Sequence, residues 1–369
     1  MQNALKYSES MKADNLHSET NALEPIILAG PCSAETEEQV LKTAHAIKNQ
    51  TTATIFRAGV WKPRTNPGGF EGIGLIGLSW LLQAKKETGL KTAVEVATAE
   101  HVNNALQFDT DVLWIGARTT VNPFSVQEIA AALKGTDRLV LVKNPVNPDV
   151  KLWIGAVERL RKAGVENIGL IHRGFSSYVK GDYRNTPMWQ IPIEMKRLFP
   201  EIPMIVDPSH ICGNRVDLQD IAQKGLNLGY QGLMIESHID PDRAWTDKEQ
   251  QITPRELQLL LEGLIWKKHQ VDKQFSQQID MLREQINLFD DELIQLLTNR
   301  LATARQIGNL KKENNVAVLQ SNRWNEILNK MIEKGNSAGL NDQFVQAFME
   351  IIHLESIRLQ SNLNHTKMR

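Results

Sequence analysis

Two short apolar runs each end abruptly in side chains that bind metals. Met204-Ile-Val-Asp207 passes directly into Pro208-Ser209-His210, and Gly232-Leu-Met-Ile-Glu236 into Ser237-His238. Continuous apolar runs of this length belong to strands buried on both faces of a parallel sheet, and the residue just past such a strand sits where parallel α/β proteins keep their chemistry. His210, Glu236 and Asp247 are therefore candidates for one shared site. An imidazole with two carboxylates suits a divalent cation, and a thiolate from Cys32, also just past an apolar run, turns the preference toward manganese, iron, cobalt or zinc. Any one of the four alone reads as an ordinary loop residue. Four ligand types at equivalent positions read together as a metal site.

The elements that must position these residues follow from the pattern around them. Apolar runs recur at residues 26–29, 54–56, 92–96, 112–115, 139–142, 168–171, 204–207 and 232–236. Amphipathic stretches between them predict helices, for example over residues 37–48, 125–133, 153–163 and 217–224. A last one over 254–268 opens with Thr253 as N-cap and Pro254 in its first turn. Eight βα units in about 250 residues match the count and size of a closed (β/α)₈ barrel. An open doubly wound sheet fits less well, because no glycine-rich dinucleotide fingerprint follows the first strand. The barrel is expected over residues 25–266, preceded by a loose polar arm over 1–24 and followed by a short linker over 267–274.

Read in order, the strand ends present Cys32, Arg57 with Lys62 and Arg64, Glu95, Arg118, Lys143, His172 with Arg173, His210 and Glu236. Cations this dense repel one another unless an anion binds among them, so the ring predicts a substrate carrying carboxylate and phosphate. Cys212, two residues beyond His210 in a turn, reads as a structural thiol rather than a ligand.

Composition limits the alternatives. The chain has 369 residues, 42 basic against 43 acidic, and a net charge of −1, which leaves no electrostatic footprint for nucleic acid or a membrane surface. Cys32 and Cys212 are the only cysteines, no apolar run approaches membrane-span length, and the N-terminus is polar. A reduced, cytoplasmic setting is the expectation.

Together Ala29-Gly-Pro-Cys-Ser33, Lys62-Pro-Arg-Thr65, Gly116-Ala-Arg118, Asp207-Pro-Ser-His210 and Met234-Ile-Glu-Ser-His238 resemble the short subfamily of 3-deoxy-D-arabino-heptulosonate 7-phosphate synthases. That family condenses phosphoenolpyruvate with erythrose 4-phosphate on a divalent metal. The resemblance implies that Cys32, His210, Glu236 and Asp247 hold the metal, with manganese the first expectation. It implies that Arg57, Lys62, Arg118, Lys143 and Arg173 surround phosphoenolpyruvate, and that Arg64 and Thr65 hold the aldose phosphate. Lys62, Glu95 and His172 are the candidates for proton transfer. An aldose phosphate other than the four-carbon sugar is the alternative.

Beyond residue 268 the alternation stops and the pattern becomes helical alone. Ile279, Leu282, Ile286, Phe289, Leu293 and Leu296 form a heptad-like seam that resumes at Ile307 and Leu310. A single helix this long predicts a partner chain. Two further helices are predicted over 322–333 and 341–360, giving an all-α three-helix domain over 275–369 that forms an intertwined homodimer. Arg300 interrupts the seam, where an unpaired charge costs several kcal/mol, on the order of a broken buried ion pair. Arg283, Arg300, Lys311, Arg323 and Gln360 resemble the pattern of the all-helical class of chorismate mutase. The resemblance implies that Arg300, Lys311 and Gln360 act on chorismate while Arg283 and Arg323 help to hold it, giving prephenate. Gln320 and Trp324 depart from the class, which commonly has an acid before the Arg323 equivalent and a Glu, in contact with the substrate hydroxyl, after it. Arg283 and Lys311 stand about 42 Å apart along one helix at 1.5 Å per residue, so a dimer must lend Arg283 across. A silent dimerisation and sensing module is the alternative. Either way, feedback on the barrel by prephenate or chorismate, with the joint over 267–273 as hinge, is the expected reason for fusion.

Overall fold

A computed structural model describes residues 25–62, 69–178, 181–267 and 273–362. Contacts divide the chain into two compact units, residues 1–269 and 270–369. The expected arm over 1–24, most of the expected linker, and Arg64 and Thr65 lie outside the described residues.

The first unit is a closed parallel barrel whose strands follow sequence order, with the eighth pairing back onto the first. Its elements are β1 (Ile26–Gly30), α1 (Glu37–Gln50), β2 (Ile55–Arg57), α2 (Leu75–Thr88), β3 (Lys91–Val96), α3 (Ala99–Gln107), β4 (Val112–Ile115), α4 (Ala117–Thr120), α5 (Pro123–Ala132), β5 (Leu139–Lys143), α6 (Val150–Lys162), β6 (Ile168–His172), α7 (Gln190–Leu198), β7 (Met204–Val206), α8 (Pro208–Cys212), α9 (Leu218–Asn227), β8 (Gly232–Glu236) and α10 (Pro254–Glu262). Closure in register sets Ile26 to Gly30 opposite Gly232 to Glu236. The strands are uniformly apolar because both faces are buried. Leu28, Ile55, Ala93, Val112, Trp114, Leu141, Ile171, Ile205 and Met234 fill the interior, while residues such as Phe56, Val94, Leu113, Val140, Leu170, Val206 and Leu233 pack outward beneath the helices. The strand period of two then dictates which strand-end side chains face in.

Local sequence sets the helix starts. Thr36, Thr98, Asn122 and Asp149 cap α1, α3, α5 and α6 with their side chains. Thr253 and Glu256 close a reciprocal capping box at α10, which holds two otherwise orphaned backbone donors. The predicted last helix ends at Glu262 rather than running to 268, where Gly263 takes the C-cap position.

The second unit is all helical: α11 (Lys273–Glu313), α12 (Ser321–Ser337) and α13 (Asp342–Asn362). A Cβ on Gly335 would stand 2.5 Å from Val345 Cγ2, so glycine permits the close approach of α12 to α13. At 41 residues α11 extends about 60 Å at 1.5 Å per residue. Its seam residues Leu282, Ile286, Phe289, Leu293 and Leu296 are 48–64% exposed within the single chain. No helix among the described residues is long and apolar enough to cross a membrane.

Candidate active sites

At the barrel mouth, alternation turns Arg57, Lys143, Asp207 and Glu236 inward, two residues beyond the interior positions Ile55, Leu141, Ile205 and Met234. All four are at most 4% exposed. Arg57 Nη1 lies 3.3 Å from Glu236 Oε1, and Lys143 Nζ lies 2.8 Å from Asp207 Oδ2. Both cations also lie over the ring of Trp114, Arg57 at 4.9 Å and Lys143 at 5.8 Å from its centroid. Trp114 Nε1 donates to Glu95 Oε2 at 3.1 Å. The Glu95 carboxylate can lie there because residue 116 is glycine: a Cβ would stand 2.0 Å from Glu95 Oε1.

The four metal candidates fall into two pairs. Cys32 Sγ donates to Asp247 Oδ2 at 3.1 Å, and His210 Nε2 lies 3.7 Å from Glu236 Oε1. Asp207, as N-cap of α8, accepts from the His210 backbone N–H at 3.1 Å, and its carboxylate also meets His210 Nδ1 at 2.9 Å. Asp247 takes a left-handed φ of 47° and meets Arg184 Nη1 at 3.0 Å. Gln250 Nε2 donates to Glu236 Oε2 at 2.6 Å, and Gln251 Oε1 accepts from the Cys32 backbone at 2.9 Å. Among the described residues no three His, Cys, Asp or Glu side chains form a closed metal cage as they stand. The donor set nevertheless fits a divalent cation. Glu236 Oε1 is buried without a hydrogen-bond donor, beside an imidazole, a thiol and a second carboxylate.

Electrostatics agree with that fit. Burial pushes the Cys32 thiol up to about 12, with the Glu236 charge adding to it, so without a cation the sulfur stays protonated. Lys62 Nζ, 2.7 Å from the sulfur, opposes the shift. Burial works to raise Glu236 as well, but His210, Arg57 and Lys62 hold it below the usual carboxylate range. Burial likewise opposes ionisation of Asp207, and His210 and Lys143 overcome it, holding that carboxyl well below its ordinary value. Burial lowers His210, which favours the neutral imidazole a metal requires.

The expected uncompensated ring of cations is corrected by these buried acids. Asp207 and Glu236 neutralise Lys143 and Arg57 directly, and Asp247 neutralises Arg184. Among the described residues, Lys62, Arg118 and Arg173 have no carboxylate partner. Arg173 is 8% exposed, and its guanidinium donates, among the described residues, only to the neutral oxygens Asn185 Oδ1 at 2.7 Å and Gly174 O at 3.5 Å. Burial lowers its guanidinium to about 10. An incoming anion would therefore meet unspent charge at these three residues.

His172 is corrected too. It neighbours the inward Ile171, so alternation turns it outward, where Nε2 meets Pro187 O at 2.7 Å and Nδ1 meets Tyr230 Oη at 3.2 Å. It is fully buried against Trp189, Phe175 and Tyr230. Cys212 is buried at the end of α8, and its thiol is pushed up to about 12, chiefly by burial. Asp207, Trp114, Arg184 and Gln250 join the site without being singled out by sequence pattern. Asp207 was readable from its place in Asp207-Pro-Ser-His210. The other three depend on long-range packing.

In the helical unit Arg300 Nη1 donates to Ser356 Oγ at 2.8 Å, and Lys311 Nζ donates to Val318 O at 2.7 Å. Gln360 is 9% exposed, and its Oε1 has no partner. Arg283 and Arg323 are exposed and, among the described residues, pair only with Asp280 and Glu326 on their own helices. Within one chain the structure thus gathers Arg300 with Ser356 but leaves Arg283 apart.

A sequence profile of the DAHP synthetase I family matches residues 13–273. The chain belongs to the DAHP synthetase I family. A second profile, chorismate mutase type II, matches residues 282–361, so a domain of each kind is present, one after the other. Phospho-2-dehydro-3-deoxyheptonate aldolase from Thermotoga maritima is 28% identical over 226 residues, spanning 61% of this chain but only 64% of that relative. A 2-dehydro-3-deoxyphosphooctonate aldolase from Nitratidesulfovibrio vulgaris is 30% identical over 259 residues, covering 63% of this chain and 88% of the relative. The crystal structure of a Thermotoga maritima phospho-2-dehydro-3-deoxyheptonate aldolase (DAHP synthase) superposes with a TM-score of 0.58 at 26% identity, over 65% of this chain and 67% of that one. A truncated 3-deoxy-D-arabino-heptulosonate 7-phosphate synthase from the same organism, at TM-score 0.56 and 23% identity over 70% and 91% of the two chains, shares the fold.

Proposed function

We propose that the chain is a bifunctional enzyme: its barrel condenses phosphoenolpyruvate with erythrose 4-phosphate, and its helical domain rearranges chorismate to prephenate. The observation that supports the first activity is Lys62, a cation without a carboxylate partner among the described residues, 2.7 Å from the sulfur of the Cys32–Asp247 pair, with Arg118 and Arg173 likewise lacking a carboxylate partner. Cys32, His210, Glu236 and Asp247 would hold a divalent metal, with manganese the first choice and iron, cobalt or zinc open, and the metal would supply Lewis-acid polarisation of the aldehyde. Arg118, Arg173 and Lys62 bind the phosphate and carboxylate of phosphoenolpyruvate, with Arg57 and Lys143 behind them. They orient its C3 toward the aldehyde carbon so that a C–C bond forms at short range. Proton movement, as the aldehyde oxygen becomes a hydroxyl and water adds at C2 with loss of phosphate, is assigned to Lys62 and Glu95. Arg64 and Thr65 are assigned to the aldose phosphate.

The pericyclic step needs no nucleophile. It needs donors fixed on the ether oxygen and two carboxylates, and Arg300, Lys311 and Gln360 supply that chemistry, with Arg323 at the rim. The exposed α11 seam supports a homodimer through the helical domain, which would bring Arg283 from the second copy. Occupation of the helical site by prephenate or chorismate is assigned to feedback on the barrel, and the setting is taken as cytoplasmic. The domains are taken as 25–266 and 275–369, joined by a linker over 267–274.

A five-carbon aldose phosphate is the second reading, favoured by the similarity to a 2-dehydro-3-deoxyphosphooctonate aldolase. Condensation assays with erythrose 4-phosphate and arabinose 5-phosphate, alongside chorismate turnover, test all of this. No product from either sugar would remove the barrel assignment, and no chorismate turnover would leave the helical domain a sensing module.

A further inference from the structure

The helical site contains a pair of rings that neither activity has required. Trp324 on α12 and His353 on α13 stack face to face, with centroids 4.0 Å apart and planes 8° apart. His353 precedes Ser356 by three residues and Gln360 by seven, so all three lie on one face of α13. His353 Nε2 is buried without a hydrogen-bond partner, as is Gln360 Oε1. Two unsatisfied polar atoms on one face are costly unless a ligand completes them.

We propose that His353 contacts the ligand of this site directly, that the group it meets is a carboxylate, and that Trp324 is the residue that positions it. This inference rests on reading the helical site as a dicarboxylate site. Two cations from α11, Arg300 and Lys311, face the imidazole closely enough to act on its charge. From α12 the facing group is Trp324, which carries no charge, while Arg323 pairs outward with Glu326 at 3.0 Å. On α13 the facing neighbours Ser356 and Gln360 are neutral, and Glu355 is held by Arg358. No carboxylate among the described residues therefore balances Arg300 and Lys311 at this face, and a ligand carboxylate fills that role.

The arrangement has a consequence for protons. Burial first, and then Arg300 and Lys311, hold His353 below its ordinary range, which favours the neutral ring. A carboxylate arriving between those cations cancels their effect and favours the imidazolium, so binding takes up a proton. The stack on Trp324 fixes the ring plane, leaving Nε2 as the atom that meets the ligand.

Calorimetric titration of the intact chain with prephenate, in two buffers of different ionisation enthalpy, measures this directly. Between about pH 8 and about pH 6 the wild type should bind up to roughly tenfold more tightly per unit of displaced pKa, with net proton uptake. His353→Gln should bind more weakly and lose both the uptake and the pH slope. Trp324→Phe should keep them, while Trp324→Ala should diminish them. Wild-type binding without proton uptake, together with unchanged affinity in His353→Gln, overturns the inference but leaves the dicarboxylate reading intact. Failure of the wild type both to bind prephenate and to turn over chorismate removes the reading and the inference together.

Discussion

His210 Nδ1 lies 2.9 Å from the Asp207 carboxylate. That contact sets the imidazole's direction: with Nδ1–H donated to Asp207, the lone pair remains on Nε2, which faces Glu236 Oε1 at 3.7 Å. Asp207 also holds Lys143, so one buried carboxylate orients a metal candidate and neutralises a cation of the barrel mouth. Carboxylates that orient metal-binding histidines typically contribute 10–100-fold in metal affinity. Asp207→Asn keeps an N-cap acceptor for α8 but removes the charge, and should weaken manganese binding by about that factor. An equilibrium metal titration giving wild-type affinity would remove Asp207 from this role.

Cys32 should determine whether the barrel holds metal at all. Because burial keeps the thiol at about 12 in the absence of a cation, metal capture must displace the proton now donated to Asp247. A chelator should abolish condensation and added manganese should restore it, while Cys32→Ser should bind metal at least tenfold more weakly, about 1.4 kcal/mol. Full condensation in metal-stripped protein would refute the assignment.

Arg300 should matter to the helical activity alone. Its guanidinium is preorganised by Ser356 Oγ, and loss of one such donor costs about 3 kcal/mol in the transition state, more than a hundredfold in rate. Steady-state rates of Arg300→Ala should show chorismate turnover nearly silenced and condensation retained. A wild-type mutase rate would make Arg300 a polar residue of the seam only.

His172 should make the barrel acid-sensitive. Burial lowers its pKa from 6.5 to about 4, so across that window the unfolded chain binds a proton that the folded barrel does not. Stability from the neutral ring is complete above pH 6.5 and declines as pH falls, by about 3 kcal/mol in total at 1.36 kcal/mol per unit. Urea unfolding followed at the barrel transition should show this slope, and His172→Gln should flatten it. An equal slope in the variant would assign the acid sensitivity to other groups.

Feedback has its own measurement. Coupling of about 1–3 kcal/mol between the helical site and the barrel corresponds to a fivefold to hundredfold effect. Prephenate should slow condensation by the intact chain and leave a chain ending at Trp266 unaffected. Equal inhibition of both would place the effect in the barrel itself.

The barrel was legible because its strands advertise themselves. Ile168 to Ile171 and Gly232 to Ile235 are apolar without alternation, which only a sheet buried on both faces requires. Cys32, His210 and Glu236 stood out because each follows such a run. Residue type and spacing likewise marked α11 and the anomaly of Arg300 within it. The direction in which each strand-end side chain points was decided only by the tertiary structure. Barrel closure with a period of two turned Arg57 and Glu236 inward and His172 outward, although in sequence all three are equivalent residues at strand ends. The partners were likewise set by closure: Asp207 meets Lys143 across 64 residues, and Asp247 meets Cys32 across 215. Local pattern determines which elements form, because it governs backbone geometry and the burial of faces. Which charges cancel and which remain for a ligand depends on distances between residues far apart in the chain, and only the closed fold sets those.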